Sequence, residues 1–198
     1  PSTVECRGCG TILAAIVIMN AIDFVTELKS FMPSRDALLN VGCSPELAEE
    51  TVRSYIVPPR TCPIDLETLG DPALELLKYW DVSTIEIGPF SFHSEPIGSV
   101  GQREIGTVDL FDPVVFRDES RDFVLLDHEV ADRVMCRVAP NGGALLASLI
   151  EVAAYYRKTV TEEIDIDDER VGLTVKSRCV QILGGTEYES FATGLLGV

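Results

Sequence analysis

The feature that most limits the fold of this chain is a series of short apolar runs, separated by turn-forming residues, between residues 84 and 138. Several runs alternate apolar and polar residues, which is typical of strands with one buried face. Most gaps between them are too short for the helical crossovers that parallel strands need, so the spacing predicts antiparallel hairpins. The predicted strands are residues 84–88, 90–92, 108–111, 114–116, 123–126 and 134–138. Glycines at 98, 101 and 106 predict turns over residues 97–106.

Helix signals precede this strand region. Asn20 is a suitable N-cap for a helix over residues 20–31. Ser44 and Asp71 are each followed by proline, the pattern of a capped helix with proline in its first turn, so two further helices are predicted. The apolar side of the first helix is predicted to consist of Ile22, Val25, Leu28 and Phe31.

Further helix signals follow the strands. Asn141-Gly142-Gly143 is predicted to turn the chain into a helix over residues 144–157. Residues 161–170 form an acidic loop, and residues 171–180 fit either a strand or a helix. A last short helix is predicted from Thr186. Helices on both sides of a run of strands, in 198 residues, predict one α+β domain with a mainly antiparallel central sheet flanked by helices.

The first residues are read separately from this domain. The apolar run at 11–18 is shorter than the roughly 20 residues of a membrane span. Only one arginine precedes it and no clear cleavage site follows, which argues against a signal peptide. Because Met19 opens a segment that resembles a natural start, residues 1–18 are interpreted as a non-native or over-extended segment and residues 19–198 as the domain. If residues 11–18 are ordered, we expect them to pack against the core.

The charge balance narrows the choice of partners. Sixteen lysines and arginines stand against thirty-two aspartates and glutamates, a net charge of −16. Such a field repels nucleic-acid phosphates and anionic membranes, and it speeds encounter with a basic protein. We therefore expect no nucleic-acid or membrane partner. The alternative is that the charge serves solubility alone.

The cysteines indicate a reducing environment. Of the six, only Cys6 and Cys9 have Cys-x-x-Cys spacing, and no second pair completes a zinc site. The other cysteines lie in apolar or turn settings, where they read as reduced, small residues. The sequence therefore predicts a cytoplasmic protein without a structural metal.

The candidates for catalysis are few because the chain has only two histidines. His128 lies between Asp127 and Glu129, but neighbouring strand residues face opposite sides, so a local carboxylate–histidine dyad is not expected. His93 and His128 could approach each other across the sheet, yet a metal site would need further ligands. A metal-dependent hydrolase that uses Asp127, His128 and Glu129 is kept as an alternative.

Other polar and aromatic clusters favour binding over catalysis. The acidic residues at 165–169 lack the glycine and spacing of an EF-hand. No nucleophile elbow or phosphate-binding glycine loop is present, and no cofactor is predicted. Tyr79 and Trp80 fit either core packing or an interface anchor. The candidate partner-binding residues are Tyr79, Trp80, Asp127, Glu129, Asp165, Asp167, Asp168 and Glu169.

A series of short motifs after residue 74 resembles the SUKH superfamily, the SMI1/KNR4-like proteins. They are Leu-Lys-Tyr-Trp-Asp-Val-Ser at 77–83, Ile-Glu-Ile-Gly at 85–88, Phe-Ser-Phe at 90–92, Val-Gly-Gln-Arg-Glu at 100–104, Val-Leu-Leu-Asp-His at 124–128, Asn-Gly-Gly-Ala-Leu-Leu-Ala-Ser-Leu at 141–149 and Gly-Gly-Thr-Glu-Tyr-Glu-Ser-Phe at 184–191. The resemblance covers more than half of the chain. It departs from the family at Asp112-Pro113 and at residues 117–122, where a simpler hairpin is expected.

This resemblance implies a non-enzymatic α+β protein with a mainly antiparallel sheet. Bacterial members of the superfamily are often immunity proteins that neutralise a toxin, frequently a nuclease. An acidic surface suits a basic nuclease partner. We therefore expect a protein-binding module of the bacterial immunity type, with a structural or oligomerisation role, such as a homodimer, as the alternative.

Overall fold

The computed structural model describes residues 19–99, 101–165 and 168–198, which form the predicted single-domain α+β fold. The predictions for residues 1–18, including the Cys6–Cys9 pair, and for Asp167 lie outside the described residues. The strands are β1 (Glu86–Ile87), β2 (Phe90–Ser99), β3 (Gln102–Val108), β4 (Asp112–Arg117), β5 (Phe123–Leu126) and β6 (Val134–Ala139). The helices are α1 (Ala21–Ser30), α2 (Arg35–Asn40), α3 (Pro45–Arg53), α4 (Pro72–Tyr79), α5 (Gly142–Val160), α6 (Glu169–Leu183) and α7 (Glu189–Leu196), with a 3-10 turn at Thr186–Tyr188.

The strands form one antiparallel sheet in which each strand pairs with its neighbours in sequence. The spatial order is β1-β2-β3-β4-β5-β6, so the predicted hairpins are confirmed. The register is irregular in β2 between Phe92 and Ile97, in β3 between Glu104 and Gly106, and at two places between β5 and β6. Such bulges increase the local twist of a sheet.

Two stretches differ from the sequence prediction. Residues 97–106, predicted as turns, mostly belong to β2 and β3, and the chain reverses between Ser99 and Gln102. Position 106 lies inside β3 and requires glycine, because a Cβ atom there would stand 2.2 Å from the carbonyl oxygen of Ser91. Conversely, residues 109–111, predicted as part of a strand, form the turn between β3 and β4.

One face of the sheet carries the apolar core. Val114 and Phe116 of β4 belong to the main core cluster, as do Phe123 and Leu125 of β5. The alternate residues of these strands lie on the other face. That face is more polar, with a hydrogen bond between Ser91 and Thr107 and another between His93 and Glu104. Val115 and Val124 also lie on that face and are buried, so the polar face predicted for half-buried strands is present at β2 and β3 but is apolar where β4 pairs with β5.

Helix α5 is the centre of the helical layer. It contacts α1, α4 and α6, and it also contacts β1 and β6 at opposite edges of the sheet. A helix that packs on several sides must be apolar around most of its circumference. Its buried residues are Gly142, Gly143, Ala144, Leu145, Leu146, Ala147, Ser148, Leu149, Ile150, Val152, Ala153 and Tyr155.

The predicted helix starts are confirmed by their capping hydrogen bonds. The side chains of Asn20, Ser44, Asp71 and Asn141 each accept a backbone N–H at the start of a helix. The predicted apolar side of α1 is wrong in one respect, because Ile22 is 64% exposed while Phe24 is fully buried. The segment 171–180, left open between strand and helix, belongs to α6.

The turn at residues 118–122, where the chain departs from the SUKH pattern, is held by a buried aspartate. Asp122 accepts hydrogen bonds from Arg117 at 2.9 and 2.7 Å and from Ser120, and Arg137 lies 3.5 Å away. Burial raises the pKa of Asp122, but these donors outweigh it and hold the pKa below its usual range. These contacts fix the turn between β4 and β5.

No helix among the described residues is both long enough and apolar enough to cross a bilayer.

Asp71 joins the amino-terminal ends of two helices. One carboxylate oxygen accepts hydrogen bonds from Ala73 and Leu74 in α4, and the other accepts one from Gly142 of α5 at 2.7 Å. Burial raises the pKa of Asp71, and the three backbone donors oppose that shift. Gly142 has no alternative residue here, since a Cβ atom would lie 2.1 Å from the carboxylate. The first turns of α4 and α5 are thus fixed against each other.

We predict that Asp71→Ala lowers the free energy of unfolding by about 2–4 kcal/mol. The loss combines a helix cap, worth about 1 kcal/mol, with the cost of leaving the buried Gly142 N–H without an acceptor, about 1–3 kcal/mol. Ser44→Ala is the matched control, because Ser44 caps α3 alone and should cost only about 1 kcal/mol. Urea unfolding of both variants measures the difference, and equal losses would show that the link to α5 contributes nothing.

Candidate protein-binding surface

The sheet order brings alternate turns to the same end of the molecule. In an antiparallel meander, the turns after β1, β3 and β5 lie at one end and those after β2 and β4 at the other. The first two turns are joined by a hydrogen bond from the Asp109 N–H to the Pro89 carbonyl at 2.9 Å. We call the exposed surface formed by residues 109–112 and 127–135 the turn surface.

The turn between β3 and β4 has a strained backbone. Asp109 and Leu110 have φ values of 51° and 71°, and the Phe111 N–H bonds to the Val108 carbonyl at 3.2 Å. Two successive left-handed residues make a type I′ turn, which favours Asn-Gly because side chains crowd the backbone there. A residue such as leucine costs about 1–2 kcal/mol in this conformation. The turn therefore stores strain at Leu110.

The residues of this turn are also among the most exposed apolar residues of the chain. Leu110 is 75% exposed and Phe111 is 64% exposed. Val130, Val134 and Met135, in and after the turn between β5 and β6, are exposed as well. Leu110 and Phe111 are adjacent in this turn, and adjacent exposed apolar side chains bordered by polar residues are a recognised mark of an interaction site.

His128 connects the two turns. Its Nδ1 lies 2.7 Å from Oδ1 of Asp112, and its ring stands against the Phe111 ring at a centroid distance of 5.6 Å. The hydrogen bond to Asp112 raises the pKa of His128, and the charges of Asp112, Glu129 and Asp127 act in the same direction. The position of Phe111 is therefore coupled to the protonation state of the His128–Asp112 pair.

Asp127 holds the turn between β5 and β6 together. Its Oδ1 accepts the N–H groups of Glu129 at 2.7 Å and Val130 at 3.3 Å, and its Oδ2 lies 2.5 Å from the Arg133 guanidinium. The hydrogen bond from Glu129 lowers the pKa of Asp127, and Arg133 adds to the effect. Asp127 is thus a positioning residue in this turn, whereas the Glu129 side chain is exposed.

The turn surface is strongly acidic. Its residues include five carboxylates and one arginine, with Arg133 occupied by Asp127. The carboxylates are Asp109, Asp112, Asp127, Glu129 and Asp132. They border the exposed apolar residues, so the surface presents apolar side chains inside a field that attracts cations.

The predicted acidic cluster after α5 lies at a different place on the chain. Asp168 caps α6 and binds the Arg170 side chain through both carboxylate oxygens at 2.9 Å, and this hydrogen bonding lowers the pKa of Asp168. Glu169 and Asp165 are exposed. Because Asp168 is committed to the cap and to Arg170, this cluster has less uncompensated charge than its sequence suggests.

Tyr79 and Trp80 form a third location, at the end of α4. Their rings meet edge to face at 6.1 Å, and Lys78 lies over the Tyr79 ring. Trp80 is partly buried against the main core and pairs with Pro59 through a single β-bridge. Trp80 therefore serves packing, while Tyr79 remains exposed.

The approach of the two histidines, which the sequence left open, does not occur. His93 lies on β2, where its Nε2 is 2.6 Å from Glu104, whereas His128 follows β5 and is bonded to Asp112. Strands β3 and β4 stand between them. In the part of the chain that the structure describes, no group of three or more His, Cys, Asp or Glu side chains is arranged to hold a metal ion.

Leu110 and Phe111 are the residues that the sequence reading missed. Assigned to a strand, one of them would have faced the core and the other solvent. The sequence signal is Asp-Leu-Phe-Asp-Pro at 109–113, in which two aspartates flank the apolar pair and a proline follows the second aspartate. Such flanks are typical of turns.

Comparison of the chain with models of known protein families, with curated proteins and with solved structures found no match. The resemblance to the SUKH superfamily rests on the sequence motifs alone.

We predict that Asp112→Asn lowers the pKa of His128. Because the folded-state pKa is raised above the usual value of about 6.5, the His128–Asp112 pair contributes its full stability below that pH and loses it as the pH rises through the folded-state pKa. The stability advantage of the native protein over Asp112→Asn should thus be larger at about pH 6 than at about pH 9.

Titration of the imidazole signals by NMR measures the pKa directly. His93→Gln assigns the spectrum, since it leaves His128 as the one histidine of the chain. An unchanged titration midpoint for His128 in the Asp112→Asn protein would contradict the ion pair.

Proposed function

We propose that this chain is a non-enzymatic protein-binding module that receives a basic protein partner on the turn surface. The observation that carries the proposal is that exposed apolar side chains occur at one end of the sheet together with carboxylates that form no ion pair among the described residues, those of Asp109, Glu129 and Asp132. Apolar area supplies affinity once it is desolvated, and the surrounding charge selects and steers the partner. The net charge of −16 favours the same kind of partner.

The resemblance to the SUKH superfamily gives the proposal its specific form. The partner proposed on that ground is a basic toxin of the nuclease type, which the bound chain would keep inactive as an immunity protein does. We place this activity in the cytoplasm, where the free thiols of Cys43, Cys62, Cys136 and Cys179 stay reduced. Asp127 and His128 are engaged with Arg133 and Asp112, so the hydrolase alternative receives no support from their geometry.

Self-association is a second candidate, favoured by the position of β6. This strand ends the sheet, and Val134 and Met135 on it are exposed. The edge strand of an antiparallel sheet can pair with another copy. Copies of a chain with charge −16 repel each other, so their association should strengthen with added salt, whereas binding to a basic partner should weaken. Sedimentation at low and high salt separates the two candidates.

The proposed function predicts that charges on the turn surface matter more than the same number of charges elsewhere. Glu129→Gln with Asp132→Asn removes two carboxylates from the turn surface, and asparagine suits the left-handed backbone at Asp132. Asp165→Asn with Asp168→Asn removes two from the start of α6 and keeps a residue that can cap the helix. We expect the turn-surface variant to bind its partner about tenfold more weakly and the α6 variant to change little.

Affinity capture from the native host, followed by titration with the recovered partner, measures this difference. The expected partner is one stoichiometric basic protein that dissociates at high salt. A larger loss for the α6 variant would transfer the interface to that cluster, and recovery of no partner across growth conditions would contradict the proposed function.

A further inference from the structure

Burial of the Leu110 side chain does not offset the backbone strain at this residue. A bulky residue in the left-handed region persists when surrounding contacts hold it there or when its side chain has a role that offsets the cost. Leu110 is 75% exposed, so core packing does not account for its presence. Glycine would relieve the strain at this position.

The strained turn is nevertheless held in place at both sides. On one side, the Asp109 N–H donates to the Pro89 carbonyl in the turn between β1 and β2. On the other side, the Asp112 carboxylate is hydrogen-bonded to His128 in the turn between β5 and β6. The Phe111 ring rests against the His128 ring. The conformation that projects Leu110 and Phe111 is thus formed before any partner arrives, which lowers the entropy lost on binding.

We infer that Leu110 and Phe111 together form a pre-organised anchor that inserts into an apolar pocket bordered by lysine or arginine side chains on a protein partner. The apolar part of this partner site follows from the two exposed side chains. Its cationic border follows from the carboxylates of Asp109, next to Leu110, and of Glu129, next to the His128 that contacts Phe111. This inference rests on the proposed function and names the chemistry of the partner's site.

The strain is tested without a partner. Leu110→Gly should raise the Tm by roughly 1–3 °C, because relief of the left-handed strain exceeds the added flexibility of the unfolded chain. Leu47→Gly is the matched control, since Leu47 is half exposed in α3 and glycine inside a helix should lower the Tm. A fall in Tm for Leu110→Gly similar to that of the control would overturn the strained-anchor inference.

The anchor is tested with a synthetic host of the inferred chemistry. Per-amino-β-cyclodextrin offers an apolar cavity with a ring of ammonium groups, and unmodified β-cyclodextrin offers the same cavity without charge. In an NMR titration, we expect the cationic host to bind the native protein at least about tenfold more tightly than unmodified β-cyclodextrin does. The largest chemical-shift changes should occur at residues 109–112 and 128. Phe111→Ser and Leu110→Gly should each weaken this binding about tenfold, while Leu47→Gly leaves it unchanged.

Equal binding of the cationic host to the native protein, Phe111→Ser and Leu110→Gly would overturn the inference, because the host would then respond to net charge alone. Absence of binding would also overturn it, because the anchor would not be available to an apolar cavity. These results are independent of affinity capture. Capture of a basic partner that binds both variants as tightly as the native protein would leave the proposed function standing and remove the anchor.

Discussion

The structure depends on the pairing of each strand with its neighbours in sequence. That constraint makes a six-stranded antiparallel sheet, gives one of its faces to the helices and collects three turns at one end. Helix α5 then covers the apolar face and reaches from β6 to β1. The Asp71 carboxylate fixes the amino-terminal ends of α4 and α5 against each other. The turn surface is therefore presented by a rigid support.

Stability and binding use different parts of this fold. The core is mainly apolar, with Phe90, Phe116 and Phe123 completely buried. The turn surface contains a leucine in an unfavourable backbone conformation and apolar side chains in water, each of which lowers stability. Binding residues commonly lie on loops that a rigid scaffold positions, and they retain local strain when it serves binding. Leu110 and Phe111 fit this description.

The sequence predicted the fold class because its signals are local. Proline after Ser44 and after Asp71 marked two helix starts, and short apolar runs marked most strands. The site was less accessible to such reasoning. Glycine usually indicates a turn. Gly106 nevertheless belongs to β3, where a side chain would collide with the carbonyl oxygen of Ser91.

The sequence also did not predict which residues make up the site. Whether Leu110 is buried or exposed depends on where β3 ends, which apolar content alone does not determine. Likewise, the pairing of His128 with Asp112 follows from contact between distant turns. The central claim that these turns bind a partner is tested most directly by hydrogen exchange, with and without the captured partner. The account predicts added protection of amides at residues 109–116 and 127–137, while protection confined to residues 79–80 or 161–171 would contradict it.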